Sequence, residues 1–235
     1  MTPKYPDDCF QALVDSWWVS DGGKDVCRGK LIEAFVPHVD QVPAALKPIG
    51  RTDDKEHKLA DCEIVYVDIS KHFERKTLPV AGLVCHDREI RTVYRAKKRP
   101  MVLIALAGQK VPKSLTRDQP KYQTSSTHLA IPCYGGNADG KRAGFKPEFL
   151  SRLRKCEFPQ FSWDILPKDG AEESVLRLDH IQPISTHNKS FRPLGYRLSE
   201  EALMIMDEWI TWHVFDDLPE DSLLAFLREK LMNLE

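Results

Sequence analysis

The spacing of apolar residues changes period several times along this chain. Between Asp7 and Val19, the residues Phe10, Leu13, Val14, Trp17 and Trp18 recur at three- and four-residue intervals. That repeat predicts a helix, with Asp7 or Asp8 as its cap and Asp21-Gly22-Gly23 as its stop. The Trp17-Trp18 pair is expected to dock on the core. Strand patterns follow over Lys30–Val36, Cys62–Ile69, Leu78–Cys85, Met101–Ala107 and His128–Cys133. Between them, Asp40–Lys58 is rich in proline and charge and reads as an excursion, and Gln109–Thr127 reads as a loop. Pro147–Cys156 predicts a short basic helix, and Phe161–Ile165 and Ser174–Leu178 two more strands. The helical period returns after Ser199, which caps a run carrying Leu203, Ile205, Met206, Trp209 and Ile210. A last helix is expected over Pro219–Leu231, with Asp216 or Asp217 before it. Many short strands closed by C-terminal helices predict an α+β fold, a small β-barrel with helical decoration.

Charge narrows the choice of partner little. The formal net charge is −1, so a nucleic-acid site would have to be a local patch. One such patch is the run from Arg88 to Arg99, which holds Arg91, Arg95, Lys97 and Lys98 beside the single acid Glu89, with Tyr94 available to stack on a base. Lys141-Arg142 and the basic helix could extend it. The longest apolar runs are strand-length, which predicts no membrane association, and no apolar leader stands near Met1. Six cysteines lie far apart without a CxxC pair, as expected of a cytoplasmic protein with unpaired, mostly buried thiols. No GxGxxG, GxxxxGK[ST], GxSxG or HExxH pattern occurs, and no cofactor or metal is expected.

The most telling stretch is Val175-Leu176-Arg177-Leu178-Asp179-His180-Ile181. On a regular strand Arg177 and Asp179 share a face, while His180 points to the other side and is expected to pack or to mark a bulge.

That stretch belongs to a collinear set. Arg28-Gly29-Lys30-Leu31-Ile32 matches an Arg-Gly-acidic-apolar opening strand, with Lys30 in place of the acid. Arg99-Pro100 leads an apolar strand, Leu129-Ala130-Ile131-Pro132-Cys133 is a strand ending on a proline step, Arg177 and Asp179 form an Arg-x-Asp, and a helix opens at Ser199. Together these resemble the PemK/MazF family of mRNA-cleaving toxins over roughly residues 80–215, reaching back to Arg28, with an enlarged N-terminal region. The resemblance implies an SH3-like β-barrel over 28–192, between an N-terminal helical extension (1–27) and C-terminal helices packed on the barrel (193–235). It implies cleavage of single-stranded RNA by the substrate's own 2′-OH without a metal, in a homodimer restrained by an antitoxin protein. Such chemistry needs a base, a cation for the phosphorane and an acid for the leaving oxygen. By the resemblance Arg177 stabilises the phosphorane, Asp179 is the base or orients it, Arg99 meets the phosphate, and His38 or His86 is the catalytic histidine. Tyr134 stands where one branch has Thr or Ser and is counted with Arg95, Lys97, Lys98 and Tyr94 as RNA-binding. A barrel that binds RNA or a protein without cutting is the other reading, because one fold carries many functions.

Overall fold

The computed structural model describes residues 3–23, 25–56, 59–70, 89–137, 144–168 and 172–233. The Leu78–Cys85 strand pattern, His86, Arg88 and Lys141-Arg142 lie outside them. The chain divides into two compact units, one of Met1–Phe35 with Lys98–Glu235, the other of Val36–Lys97.

The larger unit is α+β and is organised on a curled antiparallel half-barrel sheet. Its strands are β1 (Trp18–Ser20), β2 (Lys30–Pro37), β6 (Ala96–Ala105), β7 (Thr127–Gly135), β8 (Phe161–Ile165), β9 (Glu173–Arg177), β10 (Gln182–Ser185) and β11 (Phe191–Leu198). They run in the order β1-β11-β2-β6-β7-β9-β8, with β10 also on β7. Among its described residues the smaller unit holds a three-stranded sheet, β4-β3-β5, of β3 (Ala44–Gly50), β4 (Asp61–Tyr66) and β5 (Thr92–Val93). The expected excursion therefore contains a strand, whose Pro48 lies at a register shift against β4.

Period-2 alternation gives the large sheet two working faces. Val102 and Ile104 of β6, Ile131 and Cys133 of β7 and Leu176 of β9 join the main core. Against them pack Ile205, Met206 and Trp209 of α4 (Glu200–Phe215) and Leu224, Leu227 and Leu231 of α5 (Leu223–Met232). The other face is covered in part by α3 (Pro147–Arg154), whose Leu150 and Leu153 cluster with Trp163 of β8 and Val175 of β9. Ser199 caps α4 by accepting from the Ala202 N–H, as its sequence predicts, and Asp216 ends it in the left-handed region at φ 53°. For α5 the cap is Ser222 rather than either aspartate. Gln109–Thr127 contains two single-turn helices, α1 (Lys113–Thr116) and α2 (Lys121–Thr124).

The predicted N-terminal helix does not form. Residues 10–13 make one 3-10 turn, and Trp18–Ser20 extends as β1 against β11. The reason is tertiary: Asp164 of β8 accepts hydrogen bonds from both indoles, at 3.1 Å from Trp17 Nε1 and 3.0 Å from Trp18 Nε1. Those bonds, with the β1–β11 ladder, outweigh a weak helical propensity.

The opening motif is mechanical. Arg28 donates to the Ile104 carbonyl at 2.6 Å and pairs with Asp207 of α4. Gly29 holds φ +78°, and a Cβ there would lie 3.2 Å from the Leu198 Cβ, so only glycine fits. Lys30 is fully buried, its Nζ 2.6 Å from both oxygens of Asp21 and 2.8 Å from the Gly23 carbonyl. Burial alone would raise the Asp21 carboxyl, but Lys30 holds it below the usual carboxylate range.

Candidate active site

Antiparallel register brings the predicted arginines to one tyrosine. Met101 pairs with Pro132 across β6–β7, and the same register carried two residues further puts Arg99 opposite Tyr134. Its guanidinium carbon lies 4.1 Å from the Tyr134 ring centroid. Tyr134 pairs in turn with Val175 of β9, so Arg177 is its diagonal neighbour, 5.9 Å from the same centroid. Phe161 lies directly across from Arg177 on β8, its ring 4.7 Å from that guanidinium. Two cations and two aromatic faces thus meet on the sheet face away from the main core.

β9 ends at Arg177, and the chain then turns through a 3-10 segment, Leu178–His180. Leu178 anchors the turn by burial, its N–H bonded to the Gln160 carbonyl at 3.0 Å. Asp179 still reaches Arg177, as the spacing predicts, but from a turn rather than a strand. The pair is bidentate: Arg177 Nε donates to Oδ1 at 2.8 Å and Nη2 to Oδ2 at 2.6 Å. Burial would raise the Asp179 carboxyl, yet the Arg177 bonds and charge, with His180, hold it below the usual range. A carboxylate so stabilised is a weak base, and its geometry suits it to orient the guanidinium.

The turn also corrects the expectation for His180. It does not point away from Arg177. Its Nε2 is 2.8 Å from Arg177 Nη2, and its Nδ1 is 2.7 Å from the Tyr134 hydroxyl oxygen. An arginine only donates, so Nε2 carries the lone pair and the neutral ring's hydrogen sits on Nδ1, donated to Tyr134. Burial, then the charges of Arg177 and Arg99, push the imidazole below its ordinary value against the pull of Asp179, so the ring is neutral at pH 7. The four side chains Arg177, Asp179, His180 and Tyr134 are one connected network beneath Arg99. Side-chain exposure is 22% at Arg177 and 31% at Asp179, so the guanidinium and its carboxylate remain within reach of a ligand.

Lys98 pairs with Glu33 of β2 at 2.9 Å. His38, Tyr94, Arg95 and Lys97 belong to the smaller unit, where the His38 N–H bonds the Arg95 carbonyl at 2.9 Å. His86 is outside the described residues. The arginines of α3 are engaged, Arg152 with Glu157 and Arg154 with Asp8. The spacing of apolar Leu178 and Ile181, three apart where a strand would give two, is the signal by which His180 could have been found. Among the described residues no cluster of three His, Cys, Asp or Glu could hold a metal ion, and no helix is long and apolar enough to cross a membrane. Comparison with models of known protein families, with curated proteins and with solved structures finds no match to this chain.

Proposed function

We propose that this chain is an endoribonuclease that cuts single-stranded RNA without a metal, the 2′-OH attacking the adjacent phosphate. The P–O5′ bond breaks, leaving a 2′,3′-cyclic phosphate and a 5′-hydroxyl. The observation that supports this reading is the placement of Arg99 and Arg177 on one tyrosine whose hydroxyl is bonded to a neutral histidine. Two guanidiniums offer the charge a phosphorane needs, and Nη1 of Arg177 carries none of its bonds to Asp179 or His180. Tyr134 is the acid: it gives its proton to the leaving 5′-oxygen, and the charge left on its oxygen meets the His180 Nδ1–H and the two arginines. Asp179 orients Arg177 and is not the base. The PemK/MazF resemblance gives the role of base, which takes the 2′-OH proton, to a histidine. The curled sheet is then the SH3-like barrel of that family, and the chain the growth-inhibiting toxin of a toxin–antitoxin pair, acting as a cytoplasmic homodimer.

A long single-stranded RNA incubated with the protein in EDTA tests this. Discrete cuts with cyclic-phosphate ends are expected. Arg177→Ala, which removes contacts only to Asp179, His180 and two aromatic faces, should reduce them about 10²–10³-fold, the usual effect of losing one charge-stabilising donor. Uncut RNA held in a salt-sensitive complex would replace the nuclease by the non-catalytic binding module, a role the Arg177–Asp179 ion pair also suits.

A further inference from the structure

A pocket opens on the larger unit, lined by none of the side chains of the Tyr134 cluster. It is a cavity of about 480 Å³ between β2, the start of β6 and the turn leading into β11. Glu33, Phe35, Lys98, Asn188, Lys189 and Arg192 line it. Arg192 stands opposite Glu33 in the β2–β11 register, and its Nη2 lies 2.7 Å from Glu33 Oε2. Lys98 Nζ approaches that same oxygen at 2.9 Å. One carboxylate thus fixes two cations side by side, and Lys189 adds a third, so the lining carries a net positive charge. The turn itself is ordered: the Lys189 N–H bonds His187 Nδ1 at 3.1 Å and the Ser190 N–H the His187 carbonyl at 2.9 Å. Phe35, two residues from Glu33 and on the same side of β2, keeps 68% of its surface exposed. A large ring left open beside three cations is costly to leave bare and has a definite complement: a flat aromatic group joined to an anion.

We propose that this pocket binds a nucleotide unit, its phosphate on Arg192, Lys189 and Lys98 and its base stacked on Phe35. The cavity falls in the size range of small-ligand sites. The unit can be a free mononucleotide or one residue of a nucleic-acid strand, and the chemistry of recognition is the same for both. The site shares no side chain with the Tyr134 cluster, so it stands or falls independently of RNA cleavage.

The test uses the full chain and two probes: AMP by calorimetry, and a short fluorescent 2′-deoxy oligonucleotide, which lacks the attacking hydroxyl, by anisotropy. Arg192→Ala with Lys189→Ala alters only surface side chains and leaves Lys98 to neutralise Glu33. It should weaken binding at least tenfold. Phe35→Ala should weaken it roughly tenfold while leaving any binding of inorganic phosphate unchanged. AMP binding by the unaltered chain that the double variant loses identifies a site open to a free nucleotide, and oligonucleotide binding that the double variant loses, with no AMP binding by the unaltered chain, identifies a strand. No binding of either probe by the unaltered chain, or binding that the double variant does not change, would overturn the proposal.

Discussion

Asp164 makes the hold on the N-terminal segment measurable. It lies 1% exposed on β8, receiving the Tyr5 hydroxyl on Oδ1 at 2.8 Å and two indole N–H groups on Oδ2. None of these donors is charged. Burial pushes the carboxyl up to about 7, and the bonds from Tyr5, Trp17 and Trp18 pull only part of the way back. An acid whose folded value exceeds its unfolded one binds its proton more tightly in the native state. Its contribution to stability is therefore greatest at low pH, falls as pH rises from about 4 to about 7, and is level above that. The slope is about 1.4 kcal/mol per pH unit, so on the order of 3 kcal/mol disappears between pH 5 and pH 7. Asp164→Asn abolishes the titration while keeping one acceptor oxygen for the indoles. Urea unfolding of both proteins at pH 5 and pH 8 isolates the effect, because every other titrating group cancels in the difference. The stability of the natural chain relative to Asp164→Asn should drop by about 3 kcal/mol between the two pH values. Parallel pH profiles would show that Asp164 is already ionised at pH 5, and that burial does not dominate its environment.

Three further outcomes follow from the site and its support. Tyr134→Phe keeps the ring beneath both arginines but removes the proton donor, so RNA cleavage should fall about 10²-fold or more with RNA affinity unchanged; a fully active variant would exclude Tyr134 as the acid. His180 is pushed below the ordinary histidine value by burial and by the charges of Arg177 and Arg99, so its imidazole resonances, followed by NMR across a pH titration, should move only below about pH 6.5, and titration above that would contradict a ring whose Nε2 accepts from Arg177. Lys30→Ala should cost about 2–5 kcal/mol in chemical denaturation, since it empties the place of a fully buried side chain while Asp21 remains in contact with water, whereas a loss under about 1 kcal/mol would show that this side chain does not support the fold.

Elements specified locally were legible in the sequence. α4 combines a Ser199 cap with an apolar stripe, and β6 and β7 carry continuous apolar runs, so each identifies itself. The N-terminal helix failed because Asp164, the residue that extends the chain at Trp17 and Trp18, is distant in sequence. β3 was hidden by its own Pro48, which a local reading takes for a break although a shifted register accommodates it. At the candidate site, the sequence singled out Arg99 and Tyr134 only through the family resemblance and Arg177 with Asp179 through their spacing, while the register of β6, β7 and β9 that brings Arg99, Tyr134 and Arg177 together is not written in any one segment. His180 was not singled out for the site, because one 3-10 turn after β9 reverses which way a side chain faces, and alternation carries no notice of such a turn. That Phe35, Arg192 and Lys189 line one pocket was equally out of reach, since residue spacing does not disclose which strands lie side by side.

The route by which the chain enters and leaves the smaller unit bears on what the large sheet can tolerate. It departs along β2 and returns along β6, and these two strands are neighbours in the large sheet. Topologically, residues 36–97 occupy the place of a hairpin loop. A genetic insertion at that point would have left the strand order of the parent sheet unaltered, and its excision in favour of a tight turn would rejoin two strands that already touch. Closing a short loop in place of one so long also lowers the entropic cost of pairing β2 with β6, by about 0.6 kcal/mol for every halving of its length. The connection between β2 and β6 is thus a place where chain length can change without rewriting the strand order that carries Arg99 and Arg177.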